Sequence, residues 1–404
     1  MLTVEEARSR VLDAVRPLTP VELPLERAIG LAAAADVISN EPLPRFDNSS
    51  MDGYAVRAAD VAAAAERPVE LRLLGEVRAG VPGSSDVGPG AAVRIMTGGA
   101  VPAGADAVVP VEQTEEAGET VVVREPVAPG AFIRRAGEDV LPGAVAVPAG
   151  CDIASGEAAL LAALGVDPVL VHPSPLVAVL VTGDELVDVR AEVTPGRVRD
   201  SNSIALRALV AEAGATPVSV SRVPDDYDAT LRAFARAAGE ADLIVSSGGV
   251  AVGRYDLVKK VVEELGSIDF WKVAMQPGKP VVLGEVKGTP FLGLPGNPVS
   301  VHVSFEQFVR PALLKMRGRR GVLRPRFRAR LGSPVTKPAL RQHFVRVRLE
   351  PDAGGWTAHP TGPQGSHISS SLVACHGVAI APAGVERIER GSEVIVEVWR
   401  LPHG

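Results

Sequence analysis

Sulfur chemistry is scarce in this chain: Cys151 and Cys375 are its only cysteines in 404 residues. They form no CxxC pair and no zinc spacing with the seven histidines, which excludes a disulfide framework and predicts two reduced structural thiols. No run of ~18 apolar residues occurs, which excludes a membrane-spanning helix. The start, MLTVEEARSRVLDAV, lacks a positive segment followed by an apolar core, so the expectation is a soluble cytoplasmic protein. Charge of one sign is not concentrated either: the net charge is −6 with both signs interspersed, which provides no footprint for nucleic acid or an anionic membrane. A small anionic ligand would then need a local positive pocket. No G-x-S-x-G elbow is present, and His302 lies on a predicted helix among Val301, Val303 and Phe305, so Ser-His-Asp catalysis is unsupported. No repeat of fixed period is found.

What is abundant is glycine and proline, 41 and 34 residues, alongside 46% apolar residues and only 4% aromatic ones. That combination favours many turns and small side chains over disorder. The length predicts two to four domains of about 100 to 200 residues each. Residues 3–16 carry a helical stripe of Val4, Ala7, Val11 and Val15, opened by Thr3 as N-cap with Glu6 three residues on. Residues 68–125 read as short strands between glycine turns, an inserted β-rich unit. A helix is predicted from Ser155 to Leu164.

From 176 to about 316 strand and helix patterns alternate, which implies a three-layer α/β domain. Its helix at 202–213 is expected to be capped by Asn202 or Ser203 with Gly214 past its end, and Asn297 to cap a helix over 299–316 with Pro298 in its first position. Beyond Arg320 two-residue alternation predicts an all-β terminal domain of about 80 residues.

Three strand-to-loop transitions stand out: Thr182-Gly183-Asp184-Glu185, Ser246-Ser247-Gly248-Gly249 and Pro295-Gly296-Asn297-Pro298. In an open parallel sheet such loops converge outside the carboxyl ends of the strands, and glycines let backbone N–H groups approach a phosphate. Taken singly, each is also an ordinary βα turn. Glu185, Asp256, Asp225, Asp52 and Asp139 are loop carboxylates able to hold a hard cation such as Mg²⁺ beside substrate phosphates, or plain solvated acids. Lys272 and Lys279 flank Pro277-Gly278 and could neutralise a pyrophosphate, or be surface lysines. The segment FDNSSMDGYAV also fits an Asx-turn loop. His367 and His376 lie in a small-residue loop able to cap a ligand.

Taken together, FDNSSMDGYAV, RIMTGGAVPAGADAVVP, GED, TGDEL, GRVRDSNS, SSGGVAVGRYD, PGKP and GLPGNPVS resemble the MoeA family of molybdopterin molybdenumtransferases, and are similar also to the E domain of gephyrin. The resemblance implies a transferase that uses adenylylated molybdopterin and molybdate as substrates, with Mg²⁺, and releases AMP and molybdenum cofactor. It implies a homodimer whose composite cleft brings Asp52 and Thr97 of one subunit to the other. The implied catalytic residues are Asp52, Glu185, Asp225 and Asp256, and the implied metal ligands Glu185, Asp256 and Asp139. Implied binding residues are Asn48, Ser49, Thr97, Thr182, Gly183, Asp200, Ser201, Asn202, Ser246, Ser247, Gly248, Gly249, Lys272, Lys279, Pro295, Gly296, Asn297 and Pro298.

The fold expected is multi-domain. Residues 1–44 with 139–174 form a linking domain, 45–138 the inserted β-rich domain, 175–322 the three-layer α/β molybdopterin-binding domain, and 323–404 a barrel-like β-domain. Val181 and Gln276 depart from the commonest pattern, in which a Ser precedes TGDEL and a basic residue precedes PGKP. The rival readings are a molybdopterin adenylyltransferase and a non-catalytic gephyrin-like scaffold. The former and recipient molybdoenzymes are also the expected partners.

Overall fold

The computed structural model describes residues 1–80, 86–249, 257–270 and 272–402. Its central sheet consists of β1 (Leu176–Thr182), β2 (Thr216–Val223), β3 (Leu243–Ser247), β4 (Gly266–Phe270), β5 (Val282–Val286) and β6 (Thr289–Leu294). They are ordered β2-β1-β3-β6-β5-β4. The first four in that order run parallel, while β5 is antiparallel to β6 and β4 to β5. The sheet is therefore mixed rather than wholly parallel. The cause is local: Lys287 and Gly288 both take positive φ, 48° and 85°, and form a two-residue turn that reverses the chain between β5 and β6.

Alternation along β1 decides the layering. Val177, Val179 and Val181 enter one core with Leu206 and Val301, while Ala178 and Leu180 enter another with Phe234 and Val261. A strand buried on both faces reads as the continuous apolar run LVAVLV, since neither side may be polar. Helices Asn202–Glu212 and Pro298–Ser304 cover the first face, and Tyr227–Glu240 and Leu257–Leu265 the second. The helix expected over 299–316 is interrupted by a π-helical turn, Phe305–Val309, before it resumes at Arg310.

The N-terminal helix Val4–Ala14 has the expected capping box, with Glu6 N–H donating to Thr3 Oγ1 at 3.1 Å and Thr3 N–H to Glu6 Oε2 at 2.8 Å. Its stripe of Val4, Ala7 and Val11 is buried with Leu313 and Met316, so by packing it joins the α/β core rather than residues 20–44. Short strands on either side of residues 48–134 pair with one another, Val37–Ile38 with Val145–Val147 and Val21–Leu23 with Val169–His172. The intervening chain forms its own six-stranded sheet around Gly53–Val56, Ala91–Ile95 and Val69–Val77.

Near the C-terminus, β7 (Arg326–Leu331), β8 (Gln342–Asp352), β9 (Gly355–Pro360), β10 (Gly377–Ala381) and β11 (Glu393–Val398) close into a ring, β8-β9-β7-β11-β10-β8. Closure pairs each of these strands with two others. Val345, Val347 and Leu349 point inward, whereas Phe344 and Val378 face the α/β core and seat the barrel on it. Met275 and Gln276 extend the barrel sheet by pairing with Gln342 and His343. Among the described residues, no helix is long and apolar enough to cross a membrane.

Candidate active site

The carboxyl ends of β1, β3 and β6 open into a crevice of about 600 Å³. The parallel register, Val181 beside Ser247 and Ser247 beside Leu294, sets the three following loops at one level. Thr182, Gly183, Glu185, Asn202, Asp225, Ser247, Gly248, Gly249, Pro295, Gly296 and Asn297 all lie on its lining. A second lobe of about 470 Å³ shares Glu185, Asn202 and Asn297 and adds Arg199, Asp200, Ser201 and Pro298.

Sterics dictate the glycines here. Gly248 has φ +88°, and a Cβ on it would lie 2.6 Å from the Thr182 carbonyl oxygen and 2.9 Å from Thr182 Oγ1. At Gly249, with φ +66°, a Cβ would meet Val258 Cγ2 at 2.5 Å. The loop can thus approach β1 only without side chains.

Asn202 ties two loops together: its Nδ2 donates to Ser247 Oγ at 2.9 Å and to the Gly296 carbonyl at 2.7 Å. Ser247 Oγ donates in turn to the Pro295 carbonyl at 3.2 Å. Three further oxygens have no such partner: Thr182 Oγ1, Asn202 Oδ1 and Ser246 Oγ are buried and unbonded. A buried polar atom without a partner costs about 1–3 kcal/mol, and two of the three, Thr182 Oγ1 and Asn202 Oδ1, belong to residues on the crevice lining, while Ser246 is on neither lobe.

The helix cap differs from the expectation. Asp200, not Asn202 or Ser203, supplies it: the Ser203 N–H donates to Asp200 Oδ1 at 3.0 Å and the Ser203 hydroxyl to Oδ2. Asn202 is already the first residue of the helix, with its amide committed to the loops. The β1 and β2 loops are joined by a reciprocal pair, Asp225 N–H to Asp184 Oδ1 at 3.0 Å and Asp184 N–H to Asp225 Oδ2 at 3.4 Å. Glu185 is exposed beside them, its carbonyl accepting from Val198 N–H at 2.8 Å.

Asp256 falls outside the described residues. Asp139 is on neither lobe, and its N–H donates to the Leu43 carbonyl at 2.9 Å. Lys272 and Lys279 are not among the described residues lining either lobe; the Lys279 carbonyl accepts from Val273 N–H at 3.0 Å, and Met275–Gln276 pairs with the barrel. Pro280, directly after Lys279, lines the crevice.

Asn48 and Ser49 are buried and hydrogen-bonded locally, Asn48 Nδ2 to the Phe46 carbonyl at 3.1 Å and Ser49 Oγ to the Met51 carbonyl at 2.5 Å. The loop-forming alternative therefore accounts for both. Asp52 is exposed, and accepts from Thr97 N–H and Oγ1–H at 2.7 Å each, bonds that lower its pKa below the usual carboxylate value.

Reasoning from the sequence missed Asp184, Arg199, Ser366 and Arg346. Asn297 stands at the cap of helix Pro298–Ser304, but its Nδ2 donates to Ser366 Oγ at 3.1 Å while Val299 N–H donates to the Ser366 carbonyl at 3.1 Å. The barrel loop is thereby docked on the PGNP turn. Arg346, fully buried, holds that loop through Ser371 Oγ at 2.9 Å and the Pro363 carbonyl at 3.2 Å. The loop's polar composition was the available signal. Of its two histidines, His376 is accounted for inside the barrel, where its Nδ1 accepts from Leu349 N–H at 3.1 Å. His302 stacks on Trp399, with centroids 5.0 Å apart, and burial lowers its pKa.

Three family models cover this chain in order: MoeA N-terminal region (domain I and II) over residues 2–165, probable molybdopterin binding domain over 178–315, and MoeA C-terminal region (domain IV) over 328–399. Molybdopterin molybdenumtransferase 2 of Mycobacterium tuberculosis is 40% identical over 411 residues, 99% of this chain and 100% of the relative. The Haemophilus influenzae molybdopterin molybdenumtransferase is 36% identical, covering 98% of each chain. The crystal structure of a molybdopterin biosynthesis MoeA protein from Pyrococcus horikoshii superposes with a TM-score of 0.85 at 30% identity, over 99% of this chain and 100% of that one. With full-length identity, domain order and fold in agreement, the chain belongs to the MoeA family of molybdopterin molybdenumtransferases.

Proposed function

We propose that this protein inserts molybdenum from molybdate into adenylylated molybdopterin, releasing AMP and molybdenum cofactor, in the crevice above β1, β3 and β6. The observation that carries this reading is the meeting on one crevice of the unpaired Thr182 Oγ1 and Asn202 Oδ1 with the carboxylates Glu185 and Asp225. Unpaired donors and acceptors suit a polar, phosphate-bearing guest. Gly248 and Gly249 let it approach the backbone closely, and Asn202 holds the two loops at a constant separation.

The donor set fits Mg²⁺, which binds through one or two carboxylates together with waters and substrate phosphates. Glu185 and Asp225 would hold it, with Asp256 as the further carboxylate expected from the sequence. Bound there, the ion would polarise phosphoryl oxygens and offset charge on the departing AMP.

No described residue between 45 and 138 lines either lobe. Asp52, already oriented by Thr97, therefore acts in this reading on the crevice of a second copy, in a cytoplasmic homodimer with composite sites. The domain map is 1–44 with 139–174, 45–138, 175–322 and 323–404, with helix Val4–Ala14 transferred to the α/β domain. A molybdopterin adenylyltransferase would deliver the substrate and molybdoenzymes would receive the product.

Purified protein given adenylylated molybdopterin, molybdate and Mg²⁺ should release AMP, and omission of molybdate should stop formation of the cofactor. Failure to release AMP with all three present would overturn the assignment. Asp52→Ala and Glu185→Ala homodimers should both be inactive, and mixing them should restore part of the activity. Confirmed heterodimers without activity would rule out the composite site.

A further inference from the structure

The crevice proposed for a phosphate-bearing substrate is lined mainly by acids and neutral groups. Glu185 and Asp225 border the first lobe, and Glu185 and Asp200 the second. Among the described residues lining the two lobes, Arg199 is the one cationic side chain. A protein of net charge −6 that retains an anion needs positive charge at the point of contact.

The backbone at Arg199 is held in place. Leu186–Val187 and Val198–Arg199 form a two-stranded parallel ribbon, with Val187 opposite Arg199. Val198 N–H donates to the Glu185 carbonyl at 2.8 Å and Asp200 N–H to the Val187 carbonyl at 2.9 Å. Residue 199 is thus fixed between the crevice acid Glu185 and the helix cap Asp200. Asp200 does not neutralise it, being buried and accepting both bonds from Ser203. The Arg199 guanidinium donates from Nη2 to the Ala191 carbonyl at 3.2 Å, which steadies the side chain and leaves most of its five-donor fork for a ligand.

We infer that Arg199 is the cation that receives the phosphate end of the substrate in the second lobe. The inference rests on the reading of the crevice given above. A planar fork on a rigid ribbon suits two parallel bonds to phosphate oxygens, which a lysine cannot reproduce. The contact exists before and during reaction, so its loss should appear in binding rather than in turnover at saturation.

The test is calorimetric titration of the full-length protein with AMP and with inorganic pyrophosphate, beside steady-state AMP release from adenylylated molybdopterin. Arg199→Ala should weaken binding of one or both anions about 10- to 100-fold. It should raise KM similarly with kcat within about threefold, and bind with a shallower salt dependence than the wild type. Arg199→Lys should recover part of the loss. Arg190→Ala, on the same excursion but off the lining, should match the wild type. If Arg199→Ala is unstable to heat, Arg199→Gln, which keeps a polar side chain without the charge, replaces it. Wild-type affinity for both anions in these variants, or a fall in kcat with KM unchanged, overturns the inference. If the wild type releases no AMP yet its pyrophosphate affinity depends on Arg199, the reaction assignment falls and the anion site stands.

Discussion

The loop at residues 47–53 and the loops around the crevice are built from the same residue types, Asp, Asn, Ser, Thr and Gly, but treat their polar atoms differently. In the first, Asp47 accepts from Ala136 N–H at 2.8 Å and Arg135 Nη1 at 2.6 Å, Asn48 and Ser49 bond to neighbouring carbonyls, and Asp52 holds Thr97. In the second, Thr182, Asn202 and Ser246 each keep a buried oxygen without a partner. The lesson is that composition does not distinguish a self-satisfied loop from a receptive one. The balance of local hydrogen bonds does, because burial penalises an unbonded polar atom until something binds it.

The most damaging way to break this contrast is to fill the space that keeps the crevice loops close. Gly248→Ala places a Cβ 2.6 Å from the Thr182 carbonyl at φ +88°, so turnover should fall about 100-fold or more and thermal stability should drop. Gly156→Ala, in helix Ser155–Ala163 with nothing near its Cβ, should leave turnover unchanged and thermal stability unchanged or slightly higher. Equal activities in the two variants would show that the close approach is unimportant.

The same rule can be read by titration in the barrel, where both ring nitrogens of His343 are buried without a partner. Burial, with the charges of Arg346 and Lys337, pushes its pKa down from 6.5 to about 4. The unfolded chain takes up this proton first, so stability is full above pH 6.5, falls as pH drops towards about 4, and then levels. The total is about 3 kcal/mol, to be measured as the difference in urea-unfolding free energy between wild type and His343→Gln across that range. A difference independent of pH would contradict it.

A subtler pair sharpens the comparison directly. Thr182→Val removes an unpaired buried hydroxyl, so the free protein should be as stable or slightly more so, while substrate KM rises about tenfold. Ser49→Ala removes a paired one, so stability should fall by about 1 kcal/mol with KM unchanged. Thermal melts and steady-state kinetics on both variants decide it. Reversal of the two patterns would assign the loops the opposite roles.

Much of the fold was legible because its signals are local. The continuous apolar run of β1 and the two-residue alternation of Val345, Val347 and Leu349 each encode how many faces of a strand are buried. The antiparallel edge was legible too, in Lys287-Gly288, but went unread because this turn signal is weaker than Asn-Gly. Of the site, the loops containing Thr182, Ser247 and Asn297 were found from glycine-rich turns after strands. Arg199 and Ser366 were not, since an arginine or serine in a polar loop looks the same whether it faces water or a crevice.

The amino-acid sequence by itself determined most of the strands and helices of the α/β domain, that three glycine-bearing turns follow strands, and, through its combined motifs, the family. Each depends on chemistry within a few residues: propensity, periodicity, capping and the steric freedom of glycine. Only the tertiary structure decided that Asp200 rather than Asn202 caps its helix, that Met275–Gln276 pairs with the barrel, and that helix Val4–Ala14 packs with Leu313. Those outcomes depend on which groups meet across more than 100 residues of chain in the case of the N-terminal helix, and on competition among several possible partners for one hydrogen bond or one apolar face in all of them.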